Sequence, residues 1–171
     1  MGLFDKLFKS AEPKYSDSDV VAICDGQIVD TKSIKDQTFA QEMMGKTYAF
    51  EPTSGEIVSP VNGTLEIVFP TGHAFGLRAK DGTGYLIHIG IDTVNLNGKG
   101  FTILKKQGET VNAGETVIKV DLDTVKESYP VTTMLIITEP QEGKEYNFKS
   151  SGTVTKGEKI NWYKNSDIYL N

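Results

Sequence analysis

The chain contains two histidines, and each lies in a segment typical of a β-strand. His73 belongs to "TGHAFGLRA" (71–79), and His88, fifteen positions later, belongs to "GYLIHIGIDTV" (84–94). An imidazole has an ordinary pKa of about 6.5, so near neutral pH it can act as a nucleophile, a proton donor or a metal ligand. The chemistry open to this chain therefore depends on whether the fold brings the two rings together.

Side chains along a strand point to opposite faces in turn, which divides the segment around His88 into two sets. One set is predicted to face the core: Tyr85, Ile87, Ile89, Ile91 and Thr93. The other set is predicted to face away from it: Leu86, His88, Gly90 and Asp92. Glycine in a strand often marks the close approach of a ligand or of another backbone, and we expect Gly90 to leave room beside the imidazole.

The two histidine segments are joined by "KDGT", and Asp81-Gly82 is a strong signal for a two-residue hairpin loop. Such a loop predicts four cross-strand pairs on the face of His88: Leu77 with Leu86, Phe75 with His88, His73 with Gly90, and Thr71 with Asp92. The two histidines are then diagonal neighbours, roughly 7 to 8 Å apart by backbone and closer at the rings. We expect them to meet beside a cavity.

A converging pair of histidines next to Thr71 and Asp92 suits three kinds of chemistry. In the first, one neutral imidazole attacks phosphorus while the other holds the phosphoryl oxygens. Such a transfer needs mostly positioning and electrostatic stabilisation. Thr71 would add a hydroxyl donor, and Asp92 would orient a ring or repel the wrong ligand.

The other two kinds of chemistry each lack a feature. A zinc-dependent hydrolase would use His73, His88 and Asp92 as ligands and leave a position open for water. Such enzymes normally need a further catalytic histidine, and the chain has none left. A carrier module is suggested by "GETVNAGETVIKV" (108–120), which resembles lipoyl and biotinyl domains, but their Met-Lys-Met or Asp-Lys-Ala signature does not occur.

Composition excludes several further classes of protein. A net charge of −5 over 171 residues provides no basic surface for nucleic acid. The single cysteine, Cys24, cannot form an internal disulfide; we expect an inert, partly buried thiol and a reducing, cytoplasmic compartment. No apolar run approaches the roughly 20 residues of a membrane-spanning helix.

Short runs rich in Val, Ile and Thr recur from Val20 to about Tyr163, separated by Gly, Asn, Asp and Pro. Eight of these runs are predicted strands: "VVAI", "QIVD", "TLEIVF", "AFGLRA", "YLIHIGI", "TVIKVDL", "MLIIT" and "TVTKGEKI". Their spacing predicts an all-β fold, an antiparallel β-sandwich or flattened barrel. Helix is predicted only briefly: one short turn of helix, or a loop, at 37–45, and a short helix at 122–130, where Pro130 stops it.

The residues around the histidines resemble those of the glucose-type enzyme IIA (EIIA) of the phosphoenolpyruvate-dependent sugar phosphotransferase system. The resemblance runs from about Val20 to Ile160 and includes "FAQEMMGKTYAFEP", "GEIVSPVNGTL", "TGHAFGL", "LIHIGIDTVNLNGKGF" and "GETVNAGETVIKVDL". The Thr-x-His-Ala and His-x-Gly-Ile-Asp-Thr-Val signatures are its most specific part. One departure is "ICDGQIVD" (23–30), where family members often carry a Pro-Leu-x-Gly turn.

The resemblance implies a phosphocarrier with an all-β sandwich fold. His88 would receive a phosphoryl group from the phosphorylated histidine of HPr and pass it to a cysteine on the IIB domain of a sugar permease. His73 would steady the phosphoryl oxygens, Thr71 would hydrogen-bond near the ring of His73, and Asp92 would belong to the rim of the site. No metal or organic cofactor is required, although His73 and His88 could capture Zn²⁺ adventitiously or in a regulatory complex.

The resemblance also implies an apolar rim that partners touch, and it divides the chain into three regions. The expected rim residues are Phe39, Met43, Met44 and Phe75. The regions are an amphipathic tail with a polar linker (1–19), the EIIA domain (20–163) and a polar tail (164–171). We expect residues 2–9 to contact a membrane surface, the alternative being a tail that is frayed or packed on the domain. The sugar permease and any regulatory targets are not identified by the resemblance.

Overall fold

The computed structural model describes residues 14–162, in which short strands account for most of the regular structure. The strands are β1 (Gly26–Val29), β2 (Lys46–Pro52), β3 (Glu56–Val58), β4 (Gly63–Val68), β5 (Ala74–Ala79), β6 (Gly84–Ile89), β7 (Phe101–Ile103), β8 (Thr110–Val111), β9 (Thr116–Val120), β10 (Thr133–Glu139) and β11 (Gly152–Val154). The helical elements are α1 (Gln37–Ala40), α2 (Leu122–Lys126) and two 3-10 helices, Thr31–Ser33 and Thr93–Leu96. Asp36 and Asp121 cap α1 and α2, because each carboxylate accepts a backbone N–H of the first turn.

The strands pair antiparallel throughout and form two sheets. The larger sheet has the order β11-β1-β2-β10-β6-β5-β4-β8, and the smaller has the order β3-β9-β7. The predicted all-β antiparallel fold with little helix is confirmed, and so are both short helices. The outermost strands of the larger sheet, β8 and β11, have only two and three residues.

Some strands differ from the sequence prediction. The run "VVAI" (20–23) forms an isolated bridge between Val21 and Lys159 rather than a strand. Conversely, β2, β3, β7 and β8 were not among the predicted strands, and three of these four have only two or three residues. So short a strand carries too few residues to show alternation in its sequence.

The main core lies between the two sheets and receives the β6 side chains that were predicted to face it. Tyr85, Ile87 and Ile89 are almost fully buried in one cluster. Leu135 of β10 and Ile118 of β9 belong to the same cluster, so both sheets contribute to it. The alternation of apolar residues in β6 is therefore the direct cause of its orientation in the sheet.

A second, smaller core covers the opposite face of the larger sheet. Its buried members are Ile34, Phe39, Ala49, Ile91, Met134 and Ile136. In the register of β10 with β6, Met134 is paired with His88, so this second core lies on the His88 face. The segment 31–44, which contains α1, closes the second core by contributing Ile34 and Phe39.

The side-chain alternation of β6 ends at Gly90, which changes the position predicted for Ile91. Gly90 has a φ of +76°, a left-handed conformation that glycine adopts without steric cost. Ile91 was predicted to face the main core, but it is buried in the second core on the other side of the sheet. Thr93 is fully buried, as the sequence predicted.

The loop that joins β5 to β6 is one residue longer than predicted, and the register of the pair shifts accordingly. The N–H of Ala79 donates to the carbonyl of Thr83, which leaves a three-residue loop with Gly82 at φ +94°. This geometry matches the common three-residue hairpin with a glycine in the left-handed region. The prediction of a two-residue loop was therefore wrong.

The shift in register removes Phe75 from the site. Phe75 pairs with Ile87 rather than with His88, and its side chain is fully buried in the main core. The prediction that Phe75 belongs to a partner-binding rim was wrong, because a one-residue slip moves every side chain of a strand to the other face.

We predict that Phe75→Ala lowers the free energy of unfolding by about 3–5 kcal/mol, the usual result of truncating a buried aromatic ring. Urea unfolding followed by circular dichroism measures it. Met43→Ala is the control: this side chain is 69% exposed, and its truncation should change stability by less than about 0.5 kcal/mol. A Phe75→Ala protein as stable as the control would contradict the assignment of Phe75 to the core.

Candidate active site

His88 lies one residue before the end of β6, on an interior strand of the larger sheet. Its neighbours in register are Ala74 on β5 and Met134 on β10. Both neighbours are buried and apolar, whereas His88 itself is half-buried. The imidazole therefore rests on an apolar floor and keeps part of its surface open to solvent.

The orientation of the His88 ring is set by its own backbone two residues later. Nδ1 of His88 lies 2.8 Å from the carbonyl oxygen of Gly90. Since a carbonyl can only accept, Nδ1 carries the proton in the neutral ring, and Nε2 retains the free lone pair. The hydrogen bond thus selects the tautomer in which Nε2 is the nucleophilic nitrogen.

Gly90 is required for a reason other than the one predicted. A Cβ at this position would lie 2.8 Å from the carbonyl oxygen of Pro130 and closer still to the methyl group of Thr93. The space beside the glycine is therefore already occupied. The expectation that Gly90 leaves room beside the imidazole was wrong, since its role is to let the backbone turn its carbonyl toward His88.

His73 is the residue just before β5, and its side chain reaches the site. Its ring meets that of His88 although the next residue, Ala74, is already paired with His88, so His73 does not follow the alternation of β5. The His73 and His88 rings have centroids 5.3 Å apart and are nearly perpendicular, at 79°. The predicted meeting of the two histidines is confirmed, although the register that was used to predict it was not.

Each ring has further contacts that hold it in place. The hydroxyl of Thr71 lies 2.5 Å from Nδ1 of His73, a hydrogen bond that the resemblance led us to expect. The ring of Phe69 lies 5.2 Å from that of His73, and the ring of Phe39 lies 4.8 Å from that of His88. Phe69 was missed from the sequence, because it follows β4 in a turn where no alternation indicates its direction.

The electrostatics of the site favour neutral rings. Burial lowers the pKa of His73 and that of His88 below the ordinary imidazole value. Smaller influences on His88 are the hydrogen bond to Gly90 and the charges of Asp36 and Asp92, which favour its protonated form. Asp36 was not among the predicted site residues; as the cap of α1 it carries no chemical signature in the sequence.

The family of the chain follows from a comparison with protein-family models. The model of the phosphoenolpyruvate-dependent sugar phosphotransferase system, EIIA 1, matches residues 18–143. The chain belongs to this EIIA family. It is therefore a phosphotransferase component, with the phosphocarrier role in sugar uptake that defines the family.

Individual relatives of this EIIA agree with the family match. The glucose-specific EIIA component of the phosphotransferase system of Staphylococcus aureus (strain COL) is 38% identical over 157 residues, which are 91% of this chain and 95% of that relative. The solved structure of glucose permease IIA from Mycoplasma capricolum superimposes with a TM-score of 0.79 at 37% identity, over 84% of this chain and 93% of that one.

A further relative has the EIIA domain as part of a larger protein. The glucose-specific EIICBA component of Staphylococcus carnosus (strain TM300) is 40% identical over 141 residues, which are 82% of this chain but 21% of that protein. EIIA proteins work with HPr and with IIB domains, and the name of this relative places IIB and IIA in one chain.

Exposed apolar side chains of this EIIA agree with only part of the expected rim. Met43 and Met44 are 69% and 42% exposed, whereas Phe39 is buried beneath the His88 ring. Val94, two residues after Asp92, is 46% exposed and was not predicted. Asp92 is exposed with φ +59° and makes no side-chain hydrogen bond with any residue of 14–162.

Other predictions for this EIIA concern metal binding, the cysteine and the chain ends. Within residues 14–162, no three His, Cys, Asp or Glu side chains are grouped to hold a metal ion, so the ligand set of the hydrolase alternative is not assembled.

Burial raises the pKa of the Cys24 thiol to about 12, which makes the side chain unreactive. No described helix is long and apolar enough to cross a membrane. Residues 2–9 and 164–171 lie outside the described part of the chain.

We predict that both imidazoles titrate with midpoints below 6.5. A lowered pKa means that the folded protein binds the proton less well than free imidazole does, so both rings are largely neutral at pH 7. Carbon-13 NMR titration of the two Cε1–Hε1 groups measures this. The His73→Gln variant assigns the signals and tests the cause: if burial dominates, the His88 midpoint stays below 6.5. A midpoint above 6.5 would contradict a desolvated site.

Proposed function

We propose that Nε2 of His88 accepts the phosphoryl group from phospho-HPr and later donates it to a cysteine of a IIB domain. The single observation that carries this proposal is the hydrogen bond from Nδ1 of His88 to the Gly90 carbonyl, which leaves Nε2 as the free nucleophile. In each step a bond between phosphorus and the incoming atom forms as the bond to the leaving atom breaks. The proton stays on Nδ1, hydrogen-bonded to the Gly90 carbonyl, throughout.

His73 stabilises the phosphoryl group without receiving it. If the Thr71 hydroxyl donates to Nδ1 of His73, then Nε2 of His73 carries the proton and can donate to a phosphoryl oxygen. The 5.3 Å separation of the two ring centroids brings that donor within the range of a group bound to His88. Donors that are oriented before the reaction stabilise the developing charge most effectively.

The surroundings of the two rings suit partners that bind and leave. Met43, Met44 and Val94 supply exposed apolar surface, and Asp92 supplies a negative charge that a basic side chain of HPr or IIB can approach. Because relatives are named glucose-specific, a glucose-type permease is the proposed acceptor system. The transfer itself uses no metal or organic cofactor, although the two imidazoles have the donors for Zn²⁺ when a regulatory partner adds a further ligand.

The proposed setting is the cytoplasm, with residues 2–9 as a peripheral membrane contact. Leu3, Phe4, Leu7 and Phe8 would lie on one side of a short helix, with Lys6 and Lys9 toward anionic head groups. The EIIA domain (20–163) would then carry the relay close to a membrane-bound permease, and 164–171 would remain a polar tail.

We predict that His88→Gln takes up no phosphate, because glutamine has no nucleophilic ring nitrogen. His73→Gln should still be phosphorylated on His88, but its transfer to a IIB domain should fall by about 100-fold or more, because an oriented donor is lost. The measurement is label transfer from phosphoenolpyruvate through enzyme I and HPr, then to purified IIB. Normal labelling of the His88 variant would defeat the assignment of the acceptor.

We predict a graded effect at Thr71, which tests how His73 is oriented. Thr71→Val removes the hydroxyl but keeps the shape, and the rate of transfer to IIB should fall by about tenfold, the value of one hydrogen bond. Thr71→Ser keeps the hydroxyl and should stay within about twofold of the wild type. Equal rates for the two variants would show that the hydroxyl plays no part.

A further inference from the structure

The sequence contains two Asn-Gly pairs, Asn62-Gly63 and Asn97-Gly98, which differ in their hydrogen bonds and in their exposure to solvent. Asparagine followed by glycine is the pair most prone to spontaneous deamidation, because glycine has no Cβ to hinder attack by its own amide nitrogen on the preceding side chain. The reaction needs a mobile side chain and a backbone N–H that is not otherwise engaged. The two pairs can be judged by these requirements.

The pair Asn62-Gly63 meets neither requirement. Nδ2 of Asn62 donates to the carbonyl of Tyr15 at 3.2 Å and to the carboxylate of Asp17 at 3.1 Å. Oδ1 accepts the N–H of Ala113 at 2.8 Å, and the residue is only 6% exposed. Gly63 is paired on both sides, with β5 and with β8, so its backbone is held in the sheet.

The pair Asn97-Gly98 meets both requirements. Asn97 is exposed, and its side chain makes one long contact, 3.5 Å from Nδ2 to the carbonyl of Asn95. Among the described residues, nothing accepts the N–H of Gly98. Gly98 also has open space around it, since a Cβ there would meet only Thr71 backbone atoms at 3.9–4.0 Å.

We propose that Asn97 is a site of spontaneous deamidation in the folded protein, and that the change reaches the phosphoryl site through Thr71. The amide nitrogen of Gly98 attacks Cγ of Asn97, a carbon–nitrogen bond forms, and ammonia leaves. Water then opens the resulting succinimide at either carbonyl, which gives aspartate or isoaspartate. The sum of these steps consumes one water and releases one ammonia, and no oxidant or reductant takes part.

Both products alter the surface beside the candidate active site. Each adds a negative charge, and isoaspartate also adds a methylene to the backbone between residues 97 and 98. That backbone lies against Thr71, whose hydroxyl contacts the ring of His73. The effect on phosphoryl transfer rests on the proposed function, whereas the deamidation itself does not.

The modification is tested by ageing the wild-type protein at physiological temperature and mildly alkaline pH, followed by trypsin digestion and mass spectrometry. The two pairs fall in separate tryptic peptides, 47–78 and 81–99, so each is the control for the other. We expect the peptide 81–99 to gain the mass of amide-to-acid conversion with isoaspartate in excess, while 47–78 stays unchanged. Conversion of both peptides at the same rate, or of neither, would overturn the proposal.

Two variants extend the test. Asn97→Gln should abolish conversion in 81–99, because the longer side chain forms the cyclic imide much more slowly. Tyr15→Ala should leave the peptide 47–78 unconverted, because Oδ1 of Asn62 still accepts the N–H of Ala113 and Gly63 stays paired in the sheet. Conversion within 81–99 that continues in Asn97→Gln would place the reaction at another residue and refute the assignment to Asn97.

The functional consequence is measured separately, as the rate of phosphoryl acceptance from phospho-HPr. Aged wild-type protein should react about threefold more slowly than fresh protein, the effect of one added charge near a docking surface. Aged Asn97→Gln should match its fresh sample. If 81–99 converts without any change in rate, the coupling through Thr71 is wrong while the modification site stands; if neither fresh nor aged protein accepts phosphate, the proposed function fails instead.

Discussion

The hydrogen bond between Nδ1 of His88 and the carbonyl of Gly90 is the interaction on which the site depends. It fixes the direction of the ring and decides which nitrogen keeps its lone pair. It is formed only because Gly90 adopts φ +76° at a point where the Thr93 side chain and the Pro130 carbonyl leave no space for a Cβ. Gly90, which follows the last residue of β6, therefore orients the His88 ring and leaves its Nε2 free to act as the nucleophile.

The fold has two hydrophobic cores with different roles. The main core between the sheets holds β6 in register, and the second core, under the segment 31–44, supplies the apolar floor on which His88 stands. That floor removes water from part of the His88 ring and lowers its pKa, so the nucleophile is largely neutral at pH 7. The Phe39 ring belongs to this floor rather than to the rim, because it contacts His88 and is buried.

Side-chain positions could be predicted from the sequence within strands, where alternation applies, but not in the segments that lie outside a strand. Alternation in β6 predicted the faces of Ile87 and His88 correctly, and the meeting of the two histidines was also correct. The meeting survived a wrong register because His73 lies just before β5, where the alternation of the strand no longer gives the direction of the side chain. Phe69 belongs to the site through its ring contact with His73, and Asp36 through the effect of its charge on His88; neither leaves a periodic signal in the sequence. The wrong placement of Phe75 followed from a single residue in a hairpin loop.

The brevity of β8 and β11 has a consequence for the behaviour of many copies together. A long exposed outer strand offers unpaired N–H and C=O groups to a neighbouring molecule and promotes aggregation. Here the larger sheet finishes in strands of two and three residues, so a second copy would find little backbone to extend. A relay protein that must meet several partners in turn can therefore be kept at high concentration without the larger sheets of neighbouring molecules joining edge to edge.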